Sequence, residues 1–251
     1  MKDQYVADIG DYGKYSLLRA FAEAGVKVGV NWYYTEGDKT NDGKFKEYLE
    51  PEKEDKFAHY CPEVYYALQA IPEDQRKIVT IKERKIIPDG CYFGTEMAFE
   101  GTPDERWQQR CEWFDQSLKK LAPADLIYLD PDNGLLANEK IQRRKVALKY
   151  ALPDEVVKYY REEKKNVVYY CHKGRRKEDT WEEYKRFMLE KDGCKKAEQI
   201  ILTYHKGTQR SYVFLIHHKD YSRYKKIIDA FLSKWPKEFF ELEEYKLPQM
   251  R

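Results

Sequence analysis

The sequence predicts an α/β fold in a single domain over residues 1–251: a mostly parallel sheet closed by a C-terminal antiparallel hairpin. Three observations predict it. Leu126-Ile127-Tyr128-Leu129 runs without a polar break into Asp130-Pro131-Asp132-Asn133-Gly134, as a strand buried on both faces does where it meets a turn. Asn166-Val167-Val168-Tyr169-Tyr170-Cys171 repeats that pattern after an intervening helical segment. Ile200-Ile201-Leu202-Thr203-Tyr204 and Tyr212-Val213-Phe214-Leu215-Ile216 are joined by a loop too short for a crossover, so they pair antiparallel.

From the N-terminus, Gly10 and Gly13 are expected to break regular structure over residues 5–15. A helix then carries Leu17, Leu18, Phe21 and Ala22 on one face and stops at Gly25. Asp8, Asp11 and Lys14 fall near its start, where free backbone N–H groups favour an anion, although a plain capped turn would use the same residues. Residues 26–34 read as a strand that ends at Trp32, Tyr33 and Tyr34. It empties into a polar loop with Glu36, Gly37 and Asp38, placed where the first strand of a nucleotide-binding sheet delivers its ligand loop.

Residues 62–70 read as a short helix and residues 77–81 as a strand. Thr102-Pro103-Asp104-Glu105 opens a helix with a capping box, and Trp107, Cys111, Phe114 and Leu118 form its inward stripe. Pro153 begins another helix, with Val156, Val157 and Tyr160 inward. The strand at residues 166–171 ends in the basic loop His172-Lys173-Gly174-Arg175-Arg176, on the same side of a parallel sheet as Asp130. A second capping box, Thr180 with Glu183, precedes a helix closed by Gly193, and residues 221–234 form the last helix.

Composition narrows the function. Lys and Arg number 46 against 44 Asp and Glu, a net charge of +2, so contact with nucleic acid must come from local patches. The cysteines Cys61, Cys91, Cys111, Cys171 and Cys194 make no Cys-x-x-Cys pair, and no leader-like apolar run opens the chain, which together suggest reduced thiols in a cytoplasm. No window approaches the roughly 18 apolar residues of a membrane span. Nothing in the sequence fixes the oligomeric state.

Leu129-Asp130-Pro131-Asp132-Asn133 is similar to the catalytic Asp-Pro-Pro-Tyr segment of class I S-adenosylmethionine-dependent methyltransferases that modify exocyclic amines of nucleic-acid bases. Residues 10–18 resemble the Ala-Asp-Val-x-Lys-His segment that precedes the first strand of a bacterial ribosomal RNA adenine methyltransferase. These stretches, with residues 32–43, also resemble a set of uncharacterised bacterial proteins. The resemblance implies a Rossmann-like methyltransferase sheet with an inserted antiparallel strand. It implies catalysis by Asp130, Pro131, Asp132 and Asn133, and S-adenosylmethionine held by Lys14, Glu36, Gly37 and Asp38. Trp32, His172, Lys173, Arg175 and Arg176 are then the expected contacts to a nucleic-acid or nucleotide substrate, by stacking and by phosphate pairing. The sequence departs from the family at Asp132 and Asn133, which replace a proline and an aromatic residue, and it lacks a Gly-x-Gly after the first strand.

Two other readings use the same residues. Asp8, Asp11, Asp130 and Asp132 are carboxylates of the kind that hold Mg²⁺ in nucleases and phosphohydrolases. A non-catalytic nucleic-acid-binding module on the same scaffold also fits, because fold does not fix function.

Overall fold

The computed structural model describes residues 1–37, 43 and 45–244. Its strands are β1 (Val28–Asn31), β2 (Cys91–Phe93), β3 (Leu126–Leu129), β4 (Asn166–His172), β5 (Glu198–Tyr204), β6 (Arg210–Ile216) and β7 (Phe240–Glu244). They form one sheet in the order β2-β1-β3-β4-β6-β5-β7. The first four run parallel, with Gly29 opposite Ile127 and Ile127 opposite Val167. From β4 onward every pairing is antiparallel.

The sheet is therefore mixed rather than mostly parallel, and the β5–β6 hairpin does not close it. β6 inserts between β4 and β5, and β7 adds a further antiparallel strand at the outer edge. β7 lies beyond the last expected helix, with Phe240 buried and Glu241 exposed. β2 is only three residues long, too short to give a periodic signal.

The helices are α1 (Ile9–Glu23), α2 (Glu54–Phe57), α3 (Pro62–Gln69), α4 (Ile78–Glu83), α5 (Pro103–Leu121), α6 (Pro153–Val157), α7 (Glu178–Arg186) and α8 (His218–Leu232). Gly10 and Gly13 do not break α1; they lie inside it. Each is small because a neighbour rests on the helix. A Cβ at Gly10 would come within 1.6 Å of the Arg210 guanidinium, and one at Gly13 within 2.6 Å of the Tyr204 ring. Residues 78–83 are helical, not extended. Ile78 and Ile81, three apart, are both buried while Val79 is exposed, so burial at helical spacing overrides the β-branched composition.

The capping box of α5 forms as expected. Its inward face is turned from the expected stripe, however. Arg110, Trp113, Phe114, Ser117 and Leu121 are buried, Trp107 and Leu118 only partly, and Cys111 is exposed. The cause is Arg110, which enters the core to pair with buried Glu155 at 2.7 Å. The second capping box does not form. α7 begins two residues before Thr180, whose hydroxyl and amide instead donate to Asp179.

Strand alternation divides the core. Val30, Leu126, Tyr128, Val168, Tyr212 and Phe214 face α1 and α8. Ile127, Leu129, Val167, Tyr169, Val213 and Leu215 face α5 and α7. Among the described residues, no helix is long and apolar enough to cross a membrane.

Candidate active site

The alternation that sends Tyr128 toward α1 also sends Asp130, two residues on, to that side. The Asp130 amide donates to the Asn31 carbonyl at 2.9 Å, so the β1–β3 ladder fixes this backbone before the chain turns. Lys14 reaches in from the second turn of α1. Its Nζ lies 2.8 Å from Asp130 Oδ2 and 2.6 Å from Asp11 Oδ1. The Tyr128 hydroxyl donates to Asp130 Oδ1 at 3.3 Å. Asp11, Lys14 and Asp130 are all buried, so the ammonium compensates two carboxylates removed from water.

The start of α1 is shaped around this cluster. Asp8 is the N-cap and accepts from the Asp11 amide at 3.0 Å. Asp11 turns back to accept from the amide of Ala7, whose φ of 65° is uncommon for a residue with a side chain. Burial pushes the Asp11 carboxyl up to about 7; Lys14 opposes the rise, and Asp8 and Asp130 add to it. Burial alone would lower the Lys14 ammonium, but Asp11 and Asp130 together hold it well above the ordinary lysine value. Lys14 is therefore a fixed cation at neutral pH.

A cavity of about 400 Å³ opens over this cluster, within the range of small-molecule sites. Its walls come from the start of α1 (Asp8, Gly10, Asp11, Lys14), the turn after β3 (Asp130, Pro131, Asp132, Asn133) and the sheet surface (Tyr128, Tyr170, His172, Arg210, Tyr212). The register explains the last group. Tyr170 of β4 lies opposite Tyr212 of β6, and His172 opposite Arg210, so two cross-strand pairs share one face.

All four residues of the expected catalytic turn line the cavity. Asp132 is buried beside the Met1 amino group at 2.7 Å, with the Lys2 ammonium at 3.7 Å. The Asn133 amide donates to the Lys149 carbonyl, and Gly134 takes a φ of 97°, so the segment is a tight turn as well as a wall of the cavity. Lys14 lines the cavity, but Glu36 and Gly37 are exposed and line neither this cavity nor the larger one described below, and Asp38 lies outside the described residues.

Of the expected substrate contacts, only His172 reaches the cavity. Lys173 pairs with Glu178, and Arg176 folds back to donate to the His172 carbonyl and stack on Tyr184. Arg175 is exposed and away from the cavity. Trp32 is 3% exposed, stacked on Tyr92 and donating to the Tyr15 hydroxyl, so its ring is a packing element. The cation that the sequence reading missed is Arg210. Its signal was positional: an arginine at the entrance of a strand, two residues before a tyrosine on the same face.

The four aspartates of the metal reading do line one cavity. Ammonium groups already stand against three of them, Lys14 between Asp11 and Asp130 and the Met1 amine at Asp132. Among the described residues no group of three or more His, Cys, Asp or Glu side chains is arranged to hold a metal ion.

A second cavity, about 790 Å³, lies beyond the ends of β1 and β2, bounded by Asp3, Trp32, Tyr34, Ile78, Phe93 and Gly94. Gly94 leaves this wall bare; a Cβ there would come within 3.0 Å of both the Trp32 ring and Ile78. No protein-family model and no curated protein matches the chain.

Proposed function

We propose that the protein is an S-adenosylmethionine-dependent methyltransferase acting on an exocyclic amine of a nucleic-acid base or nucleotide. The observation that carries this reading is the Asp130 carboxylate. It stands at the end of a central parallel strand, held by Lys14 at 2.8 Å, beside a cavity of small-molecule size. Ligands of open α/β sheets bind beyond the carboxyl ends of such strands. The strand order adds support, since β6 inserts antiparallel between β4 and β5, as in the methyltransferases that the Asp130-Pro131 segment resembles.

The methyl donor does not fit the exposed Glu36 and Gly37. The cavity beyond β1 and β2 suits its adenosine better. Tyr34, Phe93 and Gly94 would hold the ring there, on a surface that any side chain at Gly94 would fill. When bound, S-adenosylmethionine supplies an electrophilic methyl group.

The chain's own residues act on the acceptor. A base amine is a poor nucleophile because its lone pair is delocalised into the ring. Asp130 and the Pro131 carbonyl would accept its N–H bonds and orient the lone pair. Lys14 fixes the carboxylate rotamer from one side and Tyr128 from the other, so orientation is set before substrate arrives.

Titration calorimetry with S-adenosylmethionine tests the reading. One-site binding that falls at least about tenfold in Gly94→Val, with the fold intact by circular dichroism, supports it. Absence of binding to the unaltered protein contradicts it.

A further inference from the structure

We infer that Arg210, Tyr212 and His172 form a subsite for the phosphate of a nucleotide substrate, at the end of the cavity opposite Asp130. The inference rests on the proposed function only in taking the Asp130 end as the base end.

Arg210 is the first observation. Its Nε donates to the Thr208 carbonyl and its Nη2 to the Thr208 hydroxyl, both at 3.0 Å. These bonds lock the guanidinium plane against its own hairpin loop. Nη1 has no acceptor among the described residues and points over Gly10, whose missing side chain makes the space it occupies. No carboxylate of the described residues pairs with Arg210 within 4.0 Å, and the half-buried guanidinium lines the cavity. A planar fork held from behind with one edge free is suited to an oxyanion.

Tyr212 is the second and independent observation. Its side chain is fully buried, its hydroxyl has no hydrogen-bond partner among the described residues, and it lines the cavity. A buried hydroxyl left unsatisfied is destabilising, so an acceptor supplied by a ligand is the natural completion. His172 faces Arg210 across the β4–β6 ladder, and its Nδ1 lies 3.3 Å from the Tyr170 hydroxyl. The Nη1 N–H groups of Arg210 and the Tyr212 hydroxyl, beside His172 on the neighbouring strand, suit a tetrahedral phosphate, whose oxygens diverge, better than a planar carboxylate.

Spacing identifies the ligand class. β6 is two strands from β3, about 10 Å across the sheet. That is the scale of a nucleotide from base amine to phosphate, and the tyrosines between, Tyr128 and Tyr170, offer a surface for the sugar and ring. The charges facing the subsite are mixed: Asp8 is the nearest carboxylate in electrostatic effect on Arg210, but it is engaged as the α1 cap.

Calorimetry with adenosine 5′-monophosphate and with adenosine tests the subsite without any methyl donor. The monophosphate should bind at least about tenfold more tightly than the nucleoside. That preference should fall to near parity in Arg210→Ala and severalfold in Tyr212→Phe, which keeps the ring packing. Gly10→Ala should reduce it too, by displacing the guanidinium without removing the charge. Equal binding of the two ligands, binding of neither, or a preference that survives Arg210→Ala overturns the subsite. Methyl transfer without a phosphate preference would sink the subsite alone, and a phosphate preference without S-adenosylmethionine binding would sink the methyltransferase reading alone.

Discussion

Lys14 Nζ and Asp130 Oδ2 lie 2.8 Å apart, joining the first long helix to the end of the central strand across 116 residues of sequence. The contact ties the α1 side of the core to the turn that lines the cavity. Removing the cation leaves Asp11 and Asp130 buried without compensation. Lys14→Met should lower unfolding stability by about 3–5 kcal/mol in chemical denaturation. A double-mutant cycle with Asp130→Asn should show coupling of about 1 kcal/mol or more. Additive single losses would show that the pair is a bystander.

Asp11 gives the cluster a pH signature. Burial raises its carboxyl from an ordinary 3.8 to about 7. Between those values the folded chain holds a proton that the unfolded chain has released, so this group's contribution to stability falls as pH rises. Unfolding followed from about pH 4 to about pH 7 should show that decline in the unaltered protein, and Asp11→Asn should lose it. Identical pH slopes for the two proteins would remove Asp11 from the account.

How far the sequence could be read follows from these same residues. Asp130 and the strands β1, β3 and β4 were legible because apolar runs that end at a polar turn are a local pattern, whereas three-residue β2 was not. The glycines of α1 were not, because their cause is remote: the Arg210 and Tyr204 side chains arrive from the far hairpin. The basic loop after β4 was rich in charge, yet Lys173 and Arg176 are consumed by Glu178, Tyr184 and a carbonyl. Composition could not show which cation stays available, since that depends on the β4–β6 register.

Gly13 separates helix propensity from packing. On propensity alone, Gly13→Ala would stabilise α1 by about 1 kcal/mol. The Tyr204 ring stands where the new methyl would go, and its hydroxyl is tied to the Ile9 carbonyl at 2.9 Å. We therefore expect destabilisation of about 1–3 kcal/mol in thermal or denaturant unfolding. An increase in stability would mean that Tyr204 yields freely.

Arg110 anchors the opposite face of the sheet. It pairs with Glu155 through two nitrogens and donates to the carbonyls of Ala147 and Tyr150, while Tyr33 donates to the same carboxylate at 2.8 Å. Arg110→Ala should cost about 3–5 kcal/mol in global stability. It should also raise amide exchange across residues 147–155. A small loss with unchanged exchange would contradict this anchoring role.

The most direct test of the central claim is a methyl-transfer assay with labelled S-adenosylmethionine and short adenine- or cytosine-containing oligonucleotides, comparing the unaltered protein with Asp130→Asn. The account predicts label on the exocyclic nitrogen, located by mass spectrometry of the digested product. It also predicts at least a hundredfold loss in the variant, with its fold retained. No transfer by the unaltered protein to any nucleic acid or nucleotide, or transfer that persists in Asp130→Asn, would contradict it.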